Sequence, residues 1–242
     1  MAESTLSIDI NSLRKEVGVY LGWGRELNTS QTDGWSATNY ADYEYIQKRA
    51  LRWVYFPPTG DPDKPFYEWS FLRKNGTITL VNTNTTYDLP DDFGGTLIDG
   101  SFTYAAGTDQ YPLIRITDTK MRRLQRTNRI GFPKYYSYKN KAHDEVNGQR
   151  YSITFHPTPG AAANTAQLTY RYVYVPNALT NTNKYPVGGA QYSELFLAAH
   201  LAAAEAYLDD DPAGPYRQQF NTLLGVAMRN DEAQKSATRN AE

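Results

Sequence analysis

The chain of 242 residues contains no cysteine, which excludes thiol nucleophiles, Cys-ligated zinc and a disulfide framework. Its three histidines, His143, His156 and His200, are far apart, and none stands in an HExxH or ExxH spacing. No Gly-x-Ser-x-Gly elbow, P-loop or Gly-x-Gly-x-x-Gly occurs, so acyl transfer and nucleotide binding lack their usual geometry. Long hydrophobic runs are missing too, because the most apolar stretch is interrupted by His200 and Glu205, which argues against a membrane span. Met1 to Ser7 has neither a basic n-region nor an apolar h-region, so no secretory signal is expected. A net charge of −1 gives no surplus of Lys and Arg for general nucleic-acid binding. What remains is a soluble protein made in the cytoplasm, long enough for one large domain or two small ones, with no need of a staple to fold.

Periodicity divides what is there into helix, strand and helix again. Leu13, Val17, Tyr20 and Leu21 after Asn11-Ser12 are spaced as a short amphipathic helix closed by Gly22. After Trp35-Ser36, residues Tyr43, Ile46, Ala50, Trp53 and Val54 form one apolar stripe, with Gln47, Lys48 and Arg52 opposite, until Pro57-Pro58. From residue 67 the period changes to two, which predicts strands over 67–72, 77–81, 97–104, 111–116, 134–138, 151–155 and 166–174. Residues 117–126 read as a basic helical excursion. The strand ending at Val175-Pro176 leads to a helix over 191–208, apolar on nearly every face, in which alanines permit close approach and Leu195, Phe196, Leu197, Leu201 and Leu208 supply burial. Asp211-Pro212 then suits the start of a last helix with Tyr216, Phe220, Leu223, Leu224 and Ala227 on one stripe.

The expected fold is therefore α+β. A helical bundle is built from the N- and C-terminal helices (residues 1–58 and 186–228), with a small antiparallel β-sandwich or barrel (66–178) inserted between them. Residues 229–242 are expected as a polar extension too poor in apolar residues to hold a core.

Charge is unevenly spread. Residues 115–141 hold nine basic side chains against one acid, Asp118, whereas residues 185–216 hold no Lys or Arg but include Glu194, Glu205, Asp209, Asp210 and Asp211. Such asymmetry suggests a surface built to meet another. The Asp209–Asp211 run fails as a calcium loop, since its fifth position is Ala213 and its twelfth Phe220, and helix capping is the better use. Asp91-Asp92 is a carboxylate pair of the sort a glycan hydrolase needs, yet it follows Leu89-Pro90, where a turn is expected. The twenty tyrosines fit stacking surfaces of a carbohydrate- or receptor-binding module, or strand tyrosines at a subunit boundary.

The segment Tyr87-Asp88-Leu89-Pro90-Asp91-Asp92-Phe93 resembles the Tyr-x-Leu-Pro-x-Asp-Phe signature of tailed-bacteriophage head-to-tail adaptor proteins. Gly131-Phe132-Pro133-Lys134-Tyr135-Tyr136, Thr154-Phe155-His156-Pro157-Thr158-Pro159 and Tyr174-Val175-Pro176-Asn177-Ala178-Leu179-Thr180 follow in the same order. The likeness runs from about Leu13 to Asp231. It implies a structural virion protein of the neck, not an enzyme and without cofactor or metal. Such proteins form a ring, usually dodecameric, that docks on the portal protein, bridges it to tail or nozzle proteins and surrounds the exit channel of double-stranded DNA. Arg122, Arg123, Arg126 and Arg129, with Arg229, Asp231, Lys235 and Arg239 of the extension, are then the candidate protein-interface residues. Glu205, Asp209, Asp210 and Asp211 are the candidates for facing the lumen or a neighbouring copy.

Overall fold

The structure is a computed structural model, described here for residues 3–25, 35–62, 64–105, 111–146, 148–208 and 214–239. It divides into two compact units: Met1–Phe71 together with Asn177–Glu242, and Leu72–Pro176. The fold class is α+β, with helices from both ends of the chain flanking a β-rich insert.

The helical unit opens with α1 (Ile10–Tyr20), which starts earlier than the leucine spacing suggests because Asp9 accepts the Ser12 amide at 2.8 Å and caps it. Ile10, Leu13 and Val17 are its buried stripe. Gly18 lies where the Trp35 indole and the Gly24 carbonyl press on the helix, and a Cβ there would collide with both. In α2 (Ala37–Tyr55), Ser36 accepts the Asn39 amide at 3.1 Å, and Tyr43, Ile46, Ala50 and Val54 face inward as their spacing predicts. Gln47, expected on the polar face, is buried beside them. A short hairpin of β1 (Pro58–Asp61) and β2 (Lys64–Phe66) follows.

Residues 67–71 form no strand. Trp69 is fully buried in the helical unit, donating its indole N–H to the Val54 carbonyl at 2.7 Å and packing edge-on to Tyr67 and Tyr192. A buried donor with a fixed acceptor outweighs the two-residue alternation that suggested a strand.

The insert begins with β3 (Arg73–Thr79), β4 (Thr86–Asp88), β5 (Phe93–Tyr104) and β6 (Ile114–Arg115). A basic helix, α3 (Asp118–Gln125), then precedes β7 (Ile130–Gly131), β8 (Tyr135–Asn140), β9 (Tyr151–His156), β10 (Thr158–Pro159) and β11 (Gln167–Tyr174). Two small sheets result, with strand orders β3-β11-β5 and β4-β9-β8-β6. Pairing within them is antiparallel except for β6 with β8, and the separate two-residue pair β7 and β10 is parallel as well. The inward faces share one core in which Phe102 meets Tyr136, Phe155 and Tyr170. Tyr136, Tyr170 and Tyr172 are thus core residues, not the boundary tyrosines the composition suggested.

The chain returns through α4 (Ser193–Leu208) to α5 (Pro215–Arg239). α4 packs against α1, α2 and α5, so its burial on several sides is satisfied within its own unit. The last turn departs from expectation: Leu208 is 52% exposed and Tyr207 41%. α5 does not stop at Met228 but continues through the polar stretch to Arg239.

Candidate functional site

Among the described residues no group of three or more His, Asp or Glu side chains converges as a metal site. No helix is long and apolar enough to cross a membrane, also among the described residues. His200 is wholly buried on α4, with Nδ1 2.7 Å from the Phe196 carbonyl and its ring stacked on Tyr43. Burial lowers its pKa to about 4, against a smaller opposing effect of the Phe196 hydrogen bond, so the ring is neutral near pH 7.

The Tyr87–Phe93 signature is a structural clasp. Its backbone closes a turn through Phe93 N–H to the Pro90 carbonyl at 3.0 Å, while Leu89 N–H reaches the Tyr151 carbonyl at 3.0 Å. The Tyr87 hydroxyl accepts the Val81 amide at 2.8 Å, and Phe93 inserts among Tyr138, Tyr151 and Tyr172. The Asp92 carboxylate accepts from Tyr172 Oη at 2.8 Å and Lys74 Nζ at 2.6 Å, and the Asp92 carbonyl accepts Val175 N–H at 2.8 Å. Burial alone would raise the Asp92 pKa, but the Lys74 and Tyr172 hydrogen bonds outweigh it and the net shift is downward. Asp91 points away to Arg150 at 3.1 Å. Asp92, its pKa lowered by the Lys74 and Tyr172 hydrogen bonds, is not held protonated as a general acid would be.

The basic segment is a surface. In α3, Thr117 caps the helix and only Met121 is buried. Arg122 pairs with Asp118 at 2.6 Å. Arg123, Arg126 and Arg129 are exposed, and among the described residues none has a carboxylate partner. Two isoleucines lie in the strands leading into and out of this helix, Ile114 (60% exposed) and Ile130 (69%). Arg115 lies 4.6 Å over the Tyr138 ring, covering its face.

The acidic and C-terminal candidates are placed differently from expectation. Glu205, expected to face a lumen or a neighbour, is buried and accepts the first amides of α5, from Tyr216 at 3.5 Å and Arg217 at 3.1 Å. Its carboxylate occupies the space where a Cβ on residue 214 would lie, which explains Gly214. A carboxylate at a helix N-terminus meets orphan donors and the positive end of the dipole, so its charge is used internally. Asp209, Asp210 and Asp211 lie outside the described residues.

Asp231, expected at an interface, has no exposed surface. It accepts from Tyr67 Oη at 2.8 Å, from the Ser70 amide at 3.1 Å and from the Ser70 hydroxyl, and it pairs with Lys235 at 2.7 Å. Lys235 also covers the Tyr67 ring at 4.2 Å and donates to the Glu68 carbonyl, so this pair is internal too. Arg229 is exposed, with Nε bonded to the Gly225 carbonyl at 3.2 Å. Arg239 is the last residue of α5.

Sequence reasoning missed one surface. Tyr45 of α2 and Tyr207 and Leu208 of α4 are exposed, and the Tyr207 hydroxyl hydrogen-bonds the Asp42 carboxylate. The available signal was the end of α4 itself, where the apolar pattern runs directly into Asp209.

Compared with known proteins, residues 43–241 match the model of a family described as SU10 adaptor protein. No curated protein matches the chain.

Proposed function

Because the chain belongs to the SU10 adaptor protein family, whose members are phage head-to-tail adaptors, we propose that it works as a ring in the virion neck. The ring, of twelve copies, docks on the portal protein, bridges it to tail or nozzle proteins and encloses the DNA exit channel without chemistry of its own. The family match across 43–241 carries this reading. It is supported by a bundle drawn from both chain ends and by a signature turn whose Asp92 carboxylate is held by Lys74 and Tyr172.

The exposed arginines of α3 and the following loop, Arg122, Arg123, Arg126 and Arg129, are assigned to protein contacts and not to the channel. Cations lining a channel hold phosphates through counterion release, and each contact would slow a genome that must slide past. Arg229 and Arg239, on the continuation of α5 beyond Met228, remain candidates for the portal contact; Asp231 and Lys235 serve that contact only by holding α5 in place.

The test is microscopy of assembled particles with the chain labelled. Twelve-fold density between portal and tail is expected; absence of the chain from the neck would overturn the proposal. A monomeric recombinant protein is compatible with it, since a ring can form only on its template.

A further inference from the structure

The β unit, Leu72–Pro176, holds thirteen basic and eight acidic residues, and the rest of the chain twelve basic and eighteen acidic. The units therefore carry +5 and −6. Contact between like units of two copies is repulsive, whereas contact between unlike units is attractive, and an unlike contact made once between each pair of copies is heterologous, the kind that closes rings.

Within each unit one surface combines the matching charge with exposed apolar groups. On the β unit it is the α3 region, where Arg123, Arg126 and Arg129 lack carboxylate partners among the described residues and Ile130 is 69% exposed. On the helical unit it is the end of α4, which has no basic residue in its last turn and exposes Leu208 and Tyr207, the latter hydrogen-bonded to Asp42, with exposed Tyr45 about one turn along α2 from Asp42. A helix C-terminus carries partial negative charge, and the sequence continues from it into three aspartates. Arginine over tyrosine, isoleucine against leucine and guanidinium to carboxylate are complementary pairings between these two surfaces, typical of an interface core. Neither surface complements itself.

We infer that the α3 surface of one copy seats on the α4-end surface of the next copy, forming the repeating contact of the ring. The inference rests on the ring proposed above and specifies which faces meet.

The cysteine-free chain makes the test clean. Single-cysteine variants Arg123→Cys, Arg126→Cys and Ile130→Cys are made on one surface, and Tyr45→Cys, Tyr207→Cys and Leu208→Cys on the other. Each is assembled into particles alone or mixed with one from the other surface, then treated with a short bismaleimide. Crosslinked dimers are expected only in mixtures of the two surfaces, and a chain carrying both substitutions should give a ladder of multimers. Particles with the chain in the neck but no mixed dimers from any pairing would overturn the inference and leave the ring intact. So would α3 cysteines that become reactive only after DNA leaves, which would assign that face to the channel. Particles without the chain in the neck would sink the ring proposal, and this inference with it.

Discussion

The Tyr67 hydroxyl donates to the buried Asp231 carboxylate at 2.8 Å, linking the chain just before the β insert to the far half of α5. Burial would raise the Asp231 pKa, but hydrogen bonds from Lys235, Ser70 and Tyr67 outweigh it and the net shift is downward. A lowered carboxylate pKa stabilises the fold above the unfolded value of 3.8, and that contribution disappears as pH falls through the lower folded value. Asp231→Ala removes the carboxylate that Lys235, Ser70 and Tyr67 share, leaving Lys235 only the Glu68 carbonyl and Tyr67 only the Met228 carbonyl at 3.1 Å, and its expected cost is about 3 kcal/mol at pH 7. Urea unfolding at pH 7 and below pH 3 should show the variant and the natural chain converging in acid; an equal gap at both pH values would contradict the assignment.

His200 titrates in a different window. With a folded pKa of about 4 against 6.5 unfolded, the unfolded chain binds the proton first. Stability is therefore complete above pH 6.5 and declines as pH falls toward 4, by on the order of 3 kcal/mol. His200→Leu should flatten this decline while leaving the later loss due to Asp231 in place. Urea midpoints taken at half-unit steps from pH 7 to 4 measure it, and an unchanged slope in the variant would refute it.

The Glu205 cap makes a third case. Gly214→Ala pushes a methyl group into the carboxylate and should destabilise by about 2 kcal/mol, the usual cost of overpacking a filled site. Glu205→Ala on its own removes the cap at about 1 kcal/mol. The two losses should not add, because without the carboxylate residue 214 has room. A double-mutant cycle by chemical denaturation with no coupling would show that the cap is not what dictates glycine there.

Much of the fold was legible because apolar period depends on local geometry. The stripe Tyr43, Ile46, Ala50, Val54 and the alternation Leu168, Tyr170, Tyr172 both face their cores as their spacing dictates. The α+β class and the adaptor family followed from the same patterns and from the ordered signature around Leu89-Pro90. What escaped was decided by single long-range partners. Tyr67 and Trp69 alternate like a strand but are held by Asp231 and Val54. Asp231 and Glu205 look like surface acids in a polar or alanine-rich context, yet Asp231 meets donors on Tyr67 and Ser70 from the far side of the insert in sequence, and Glu205 meets two amides at the start of the next helix. A linear pattern shows that a carboxylate is present; only the fold shows which amides point at it.

The charge of Arg129, without a carboxylate partner among the described residues, is itself measurable. His156 is buried in β9, and burial first and the Arg129 charge second lower its pKa below the usual 6.5. Arg129→Gln removes a neighbouring cation, so protonation becomes easier and the His156 pKa should rise. Added salt should raise it in the natural chain for the same reason, because an exposed guanidinium is screened while burial is not. Imidazole proton shifts followed by NMR from pH 8 to 4, at low and high salt, separate the two causes. A pKa insensitive to both salt and the substitution would show that burial alone sets it. If a carboxylate from a neighbouring copy neutralises Arg129 in the ring, assembly should shift the same resonance in the direction of the Arg129→Gln variant, which ties the charge to the contact without relying on stability.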